Sequence, residues 1–412
     1  MGNAAWDVIV IGAGAAGLLT AIRAAELGRR TLLLEKNRRP GVKILMSGGT
    51  RCNITQATDN RGIVEAFGPP GRFLHSALAG LSVQETIELF EAEEVPTKVE
   101  ATGKVFPVSN KAADVLDALL RRLHRSGAVL ALDEPLRELR WADGRFAVAT
   151  PRRVLSAPRV ILTTGGQSYP GSGTTGDGYG IAAQFGHAIV PPRPALVPVR
   201  VAARWVAGLR GVTLPDVGLR VLEGSKVLGR ERGSLLFAHF GLSGPAVLDV
   251  SRIVSRHPHP ASLALEIDLV PKVTEAESDE WLRRESAAAG KKQLAVVLTE
   301  HLPRSLCDIA LTLAGLSVER RAAALSRAER MKLVQTMKRL VLPVTDTLGF
   351  EKAEVTSGGV ALDEVDSRSM ASKRQPGLFV AGEVLDLDGP IGGYNFQAAF
   401  STGWLAGTAA AR

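Results

Sequence analysis

The apolar run Val8–Ile11 leads into a glycine- and alanine-rich stretch, and small and apolar residues then recur at helical spacing as far as Gly28. An unbroken apolar run this short reads as a parallel strand buried on both faces, so a strand is predicted over Asp7 to Ile11. A second run, Thr31 to Leu34, completes the order strand, tight turn, helix, strand. Helical spacing reappears over Val83 to Glu94 and Ala112 to Leu123. A strand pair is predicted over Val129 to Leu139 and Arg145 to Thr150, and a sheet strand over Arg159 to Thr163. After Pro191-Pro192 the pattern becomes several short strands between glycine and proline turns, Leu196 to Ile267, and then helical from Glu275 to Leu340. A last strand, Leu378 to Ala381, precedes a closing helix to about Ala410, in the style of the N-terminal segment.

The turn after the first strand is Gly12-Ala13-Gly14-Ala15-Ala16-Gly17, and the second strand ends at Glu35. This is the spacing of a dinucleotide-binding βαβ unit. Gly12 permits the turn, Gly14 lets backbone approach a pyrophosphate, and Gly17 lets helix pack on sheet, while Glu35 reaches the adenosine ribose. The helix start at Ala15 and Ala16 faces the phosphates with unpaired amides. An acidic Glu35, followed by Lys36, favours a free 2'-hydroxyl and therefore FAD or NAD over NADP.

Three further segments concentrate glycines and hydrogen-bonding groups. The first, Gly41 to Thr55, has little periodicity and reads as a ligand loop. Lys43 and Arg51 are positioned there to neutralise phosphate, and Ser47, Gly48, Gly49 and Asn53 to line a ribityl chain or ring edge. Cys52, with no neighbouring cysteine, reads as a small buried side chain near the cofactor. The second, Thr164-Gly165-Gly166 with Asp177, lies beyond a strand's carboxyl end, the ligand edge of an open α/β sheet. The third joins Gly382-Glu383 to Gly392-Gly393-Tyr394-Asn395. The helix start there points amides at a negatively charged ligand edge, Glu383 is placed to accept from a ribityl hydroxyl, and Tyr394 to cover a ring or donate to it.

Composition narrows the picture. With 45% hydrophobic and 22% charged residues the chain of 412 builds a substantial core, and Gly 43 makes up roughly 10% of it, above the usual ~7%. The net charge of +8 is thinly spread, and the cations crowding the end of the helical segment, from Arg320 to Arg339, lack the interleaved aromatics of a single-strand binder. Nucleic acid is therefore an unlikely partner on this reading, and a small-molecule substrate is expected. Two cysteines fit a reducing compartment, so a cytoplasmic location is expected, with no membrane insertion. His257 and His259 find no companion ligands, and no metal is expected. His239 reads as a packed or hydrogen-bonded histidine ahead of a general acid, so no catalytic residue is assigned.

These motifs together resemble the BaiN-like or HI0933-like NAD(P)/FAD-dependent oxidoreductases, among the two-dinucleotide-binding-domain flavoproteins. The likeness runs through Gly12 to Gly17 with Glu35, Ser47 to Asn53, Gly165-Gly166 with Ser168-Tyr169-Pro170 and Thr175 to Gly178, Phe237 to Pro245, and Gly382 through Asn395. The family more often has Asn where this chain has Gln56. The resemblance implies an α/β fold: a discontinuous Rossmann-like FAD-binding domain, with an inserted β-barrel-like domain and a helical subdomain. The expected division is 1–190 and 353–412 for the FAD-binding domain, 191–270 and 341–352 for the β-rich insertion, and 271–340 for the helices. It implies FAD as cofactor and hydride transfer through flavin N5 to an organic acceptor. Because no second dinucleotide motif occurs between 191 and 352, NAD(P)H enters as a transient co-substrate. The alternatives are a flavin-dependent RNA-modifying or RNA-binding protein and a noncatalytic flavin-binding regulator. The oligomeric state is left open.

Overall fold

A computed structural model describes residues 6–288 and 291–412. The chain divides into two compact units, one formed by residues up to Arg193 together with Glu354–Arg412, the other by Pro194–Ala353.

The first unit is organised by a five-stranded parallel sheet. Its centre is β1 (Val8–Ile11), flanked by β2 (Thr31–Leu34) and by Arg159–Leu162; Val129–Ala131 lies outside β2 and Leu378–Val380 outside Arg159–Leu162. All four β1 residues are 5% exposed or less, as a central strand covered on both faces requires. Helix α1 (Ala15–Glu26) crosses one face, and the C-terminal helix Tyr394–Ala410 packs on it almost backbone to backbone. A Cβ at Gly403 would stand 2.3 Å from Ala16 O, and one at Gly407 2.5 Å from Thr20 O. Only glycine permits that approach, and Thr20 Oγ1 uses it to donate to Gly403 O. The last segment of the chain is thereby fixed against the first helix, which brings the two ends of the sequence to one site.

Two expectations about local structure are corrected. The stretch 129–139 is not one strand: Val129–Ala131 joins the parallel sheet, whereas Glu138–Ala142 pairs with Arg145–Ala149, which pairs in turn with Val154–Ala157, in a separate antiparallel sheet. Asp133, with φ +54°, turns the chain between them. The stretch 41–55 is not all loop, because Val42–Thr50 is helical with a break at Ser47–Gly49.

The second unit is a closed six-stranded antiparallel barrel, in the order Val199–Val201, Gly241–Ser243, Lys226–Ala238, Thr213–Glu223, Leu263–Asp268 and Leu340–Thr347. Inward positions such as Leu219, Val221, Phe237, Leu265 and Leu342 are nearly inaccessible and alternate with outward residues. Closure leaves no edge strand. The helix Pro245–Arg256 buries its apolar side against the barrel. Between the adjacent strands Leu263–Asp268 and Leu340–Thr347 the chain leaves to form the helices Glu275–Ala288, Leu294–Leu298, Arg304–Leu313 and Arg327–Lys338.

Candidate functional site

At the carboxyl end of β1 the three motif glycines have separable roles. Gly12 adopts φ +102°, and a Cβ there would lie 2.7 Å from Thr163 O. A Cβ at Gly17 would lie 1.8 Å from Gly12 O, so no larger residue fits against the turn. Gly14 faces open space, with nothing within 4 Å of a Cβ, and caps α1 without any side-chain acceptor for the leading amides. The arrangement is a bare helix start in front of Ala15 and Ala16, the geometry that receives an anion. Thr163, which sequence reading passed over, donates its hydroxyl to Ile11 O and Gly12 O at 2.9 Å each and pins the turn from the neighbouring strand. A hydroxyl following a buried strand was its only local signal.

Glu35 is 8% exposed. Its Oε2 accepts from Ala13 N at 2.7 Å and its Oε1 from Asn37 N at 2.9 Å, so the carboxylate braces the glycine turn. Each oxygen keeps a further lone pair for a diol.

The segment after Gly41 is strongly bent. Gly48 and Gly49 are left-handed, and so are two residues with side chains, Thr50 (φ +69°) and Cys52 (φ +60°). Such positions cost about 1–3 kcal/mol each and persist where surrounding contacts enforce them. Arg51 supplies one such contact: its guanidinium lies 3.9 Å over the Phe106 ring, and Nη1 donates to Glu100 at 2.6 Å. Its charge is therefore already balanced. Cys52 is inaccessible and burial pushes its thiol up to about 12, so it is a packed thiol and not a thiolate. Ser47 Oγ donates to Ile44 O. Asn53 is 8% exposed and its Oδ1 finds no hydrogen-bond donor, an orphaned acceptor beside the bend.

The remaining glycine segments are tied to this one by polar contacts. Lys43 Nζ donates to Ser168 Oγ at 2.6 Å and to Glu383 Oε2 at 2.7 Å; Glu383 Oε1 accepts from Ser168 Oγ and Thr356 N. Thr356 Oγ1 accepts from the backbone of Gln167 and Ser168, and a Cβ at Gly166 would lie 2.3 Å from it. Gly165 is left-handed, and Thr164 Oγ1 and Tyr179 OH are buried without partners. Lys36 pairs with Asp177 and donates to Thr175. Glu354 keeps solvent access yet is hemmed in by protein; desolvation raises its carboxyl against the pull of Lys43 and Lys104.

The C-terminal helix begins at Gly393, again with no side-chain cap, and a Cβ on Gly393 would lie 2.5 Å from Thr55 C. The close approach clamps the helix start to the strand Thr55–Gln56, directly after the bent segment. Gln397 locks it, accepting from Thr55 Oγ1 at 2.6 Å and donating to Thr86 Oγ1 and Ser401 Oγ. Asn395 folds back on Gly389 and Pro390, which shapes the loop. Gly392 sits against the Tyr394 ring, and Gly382 against Ala16 at the start of α1. All four glycine segments thus converge within the first unit. Thr163, Ser168, Thr356 and Gln397, absent from the expected site residues, are what join them.

In the second unit His239 is exposed, edge-on to Phe240 at 5.0 Å, and His257 contacts Glu223 at 3.1 Å. Among the described residues no group of three or more His, Cys, Asp or Glu is placed to hold a metal, and no helix is long and apolar enough to cross a membrane.

Residues 6–409 match the HI0933-like protein Rossmann domain. The chain belongs to the HI0933-like family. A ribosomal RNA dihydrouridine synthase of Escherichia coli is 33% identical over 97% of this chain and 96% of its own length. The 3-dehydro-bile acid delta(4,6)-reductase of Clostridium scindens is 30% identical over 98% of each. In fold, this HI0933-like chain is similar to the 3-ketosteroid-delta4-(5alpha)-dehydrogenase of Rhodococcus jostii, with TM-score 0.53, 18% identity, and 99% of this chain and 97% of that one covered. The family is one of FAD-dependent oxidoreductases with a Rossmann-type FAD-binding domain, and this protein is an oxidoreductase of that kind.

Proposed function

We propose that the protein reduces the C5=C6 bond of uridine in ribosomal RNA, with FAD held at the four-segment site and NAD(P)H as electron donor. The carrying observation is the chemistry shared by its full-length relatives. Dihydrouridine formation and reduction of a 3-keto bile acid's conjugated double bonds both saturate a C=C conjugated to a carbonyl. The relative at 33% identity names ribosomal RNA as its substrate. RNA thereby displaces the small-molecule substrate as the favoured partner.

The residues present fit FAD. The bare start of α1 over Gly12, Gly14, Ala15, Ala16 and Gly17 suits a pyrophosphate, and the spare lone pairs of Glu35 suit a ribose diol. The orphaned Asn53 Oδ1 and Thr164 Oγ1 await polar groups that the protein does not supply. Bound FAD supplies two-electron hydride chemistry. Overall, C6 of the uracil gains a hydride and C5 a proton, while the nicotinamide is oxidised by two electrons. The roles of the chain's own residues are to orient: the Lys43–Glu383–Ser168–Thr356 node fixes three loops, and Gln397 fixes the uncapped helix start.

Purified holoprotein incubated with NADH or NADPH and unmodified ribosomal RNA is expected to yield dihydrouridine on nucleoside mass spectrometry. Absence of dihydrouridine, with turnover of a steroidal dienone instead, overturns the RNA reading. Failure of both nicotinamides to bleach the flavin anaerobically overturns the donor.

A further inference from the structure

Four of the seven cations that crowd the end of the helical segment are held in ion pairs. Arg320 pairs with Glu329, Arg330 with Asp279, Lys338 with Asp268 and Arg339 with Glu275. Yet the second unit carries 23 Lys and Arg against 17 Asp and Glu, which is six of the chain's eight net positive charges. Three of the cations without an ion pair among the described residues lie at one end of the barrel, next to an aromatic pair, whereas the cation-rich run 320–339 contains no aromatic residue.

Arg200 stands on the strand Val199–Val201, opposite Gly241. Arg204 opens the short 3-10 turn Arg204–Leu209 and Arg210 closes it. Gly211 N donates to Phe237 O and Phe237 N to Val212 O, so this turn is stitched to the end of the strand Lys226–Ala238, where the exposed His239 and the half-buried Phe240 make the connection to Gly241. The three arginines are exposed and form no ion pair among the described residues. Asp346 neighbours Arg200 in the ladder, but its Oδ1 accepts from Thr347 N. Three uncommitted guanidiniums beside an edge-on His–Phe pair combine what an unpaired polynucleotide needs: cations for successive phosphates and rings for bases. A bile acid carries a single carboxylate, which one guanidinium satisfies, whereas three in a row match successive phosphates.

We propose that this barrel end, formed by Arg200, Arg204 and Arg210 around the His239–Phe240 turn, docks an unpaired stretch of RNA. The proposal rests on the RNA reading of the function. It is tested with full-length holoprotein and a fluorescently labelled oligouridylate, titrated at several salt concentrations. The triple variant Arg200→Gln, Arg204→Gln, Arg210→Gln is expected to bind at least about tenfold more weakly. Its log affinity should fall less steeply with log salt, by about two, because each phosphate contact on a single strand contributes about 0.7. Bound flavin and its reduction by nicotinamide stay unchanged, which shows that the variant is folded. The triple lysine variant retains binding.

If the wild type forms dihydrouridine and the glutamine variant binds and modifies RNA equally well, the surface is wrong and the substrate reading stands. If the wild type neither binds nor modifies RNA, the substrate reading fails and the surface with it. Loss of binding to anionic phospholipid vesicles, with RNA binding intact, assigns the arginines to a membrane and also overturns the proposal.

Discussion

Lys43 and Glu383, separated by 340 residues in sequence, meet at 2.7 Å with both side chains about three-quarters buried. The pair joins the bent segment after Gly41 to the loop after the last sheet strand, and Ser168 closes the triangle from a third segment. Such a pair is worth more than a surface ion pair because removing one partner leaves the other partly desolvated.

Lys43→Met should therefore lower unfolding stability by about 1–2 kcal/mol, an intermediate value between exposed and fully buried pairs. Glu383→Gln should cost less, because the amide oxygen still accepts from Thr356 N. Urea denaturation of the two single variants and the double variant is expected to show coupling of about 1 kcal/mol. Strict additivity contradicts the node.

The glycine turn separates cofactor binding from folding. Gly14→Ala places a methyl group in open space and should leave the stability of the apoprotein within about 1 kcal/mol, the usual helix-terminal range. Its affinity for FAD should fall at least about tenfold, or about 1.4 kcal/mol, because the methyl occupies the approach to the pyrophosphate. Gly17→Ala, with its Cβ 1.8 Å from Gly12 O, should instead disrupt the turn itself and lower apoprotein stability. Flavin fluorescence titration and thermal unfolding of both variants check the split. Equal loss of stability in the two would refute the assignment of Gly14 to a ligand.

The turn was legible because the whole Gly12–Gly17 and Glu35 pattern is local, and each glycine's role follows from backbone sterics. What tied the site together was not. Ser168 lies in a recognisable motif, but its role as a tie, like that of Thr356, is set only when the fold brings the two to Gly166 and Glu383. Lys43 and Arg51 were read as phosphate ligands because isolated cations in a glycine-rich loop invite that reading; their carboxylate partners, Glu383 and Glu100, lie far along the chain. The strand misread over 129–139 has a different cause. Apolar spacing was followed through Asp133-Glu134-Pro135, although a proline inside an apparent strand marks its end.

Cys52 sets an alkaline limit on stability. Its thiol is pushed up to about 12 by burial, against the opposing effect of a hydrogen bond with Ser47, whereas its ordinary value is 9.0. The native state therefore keeps the proton while the unfolded chain loses it. This contribution is complete below pH 9 and is lost as pH rises from 9 towards 12, at about 1.4 kcal/mol per unit. Cys307, raised to about 11 chiefly by burial, acts in the same direction. Denaturation at successive alkaline pH values should show a shallower decline in Cys52→Ala than in the wild type. At pH 8 neither thiol should react rapidly with a disulfide reagent in the native protein, and fast labelling of Cys52 would reopen a redox role.

Asn53 should show opposite effects with and without cofactor. Its Oδ1 is buried and unpartnered, and such an acceptor costs about 1–3 kcal/mol relative to one that is satisfied. Removing it relieves that cost in the apoprotein, so Asn53→Ala should leave apoprotein stability unchanged or slightly raised despite the lost side-chain contacts. If Asn53 Oδ1 is held ready for a donor on FAD, the same variant should bind FAD about tenfold or more weakly, and the stabilisation conferred by saturating FAD should shrink accordingly. Thermal unfolding of wild type and variant, each with and without FAD, separates the two effects in one experiment. A variant that loses apoprotein stability and retains full FAD affinity would make Asn53 a structural residue and remove it from the site.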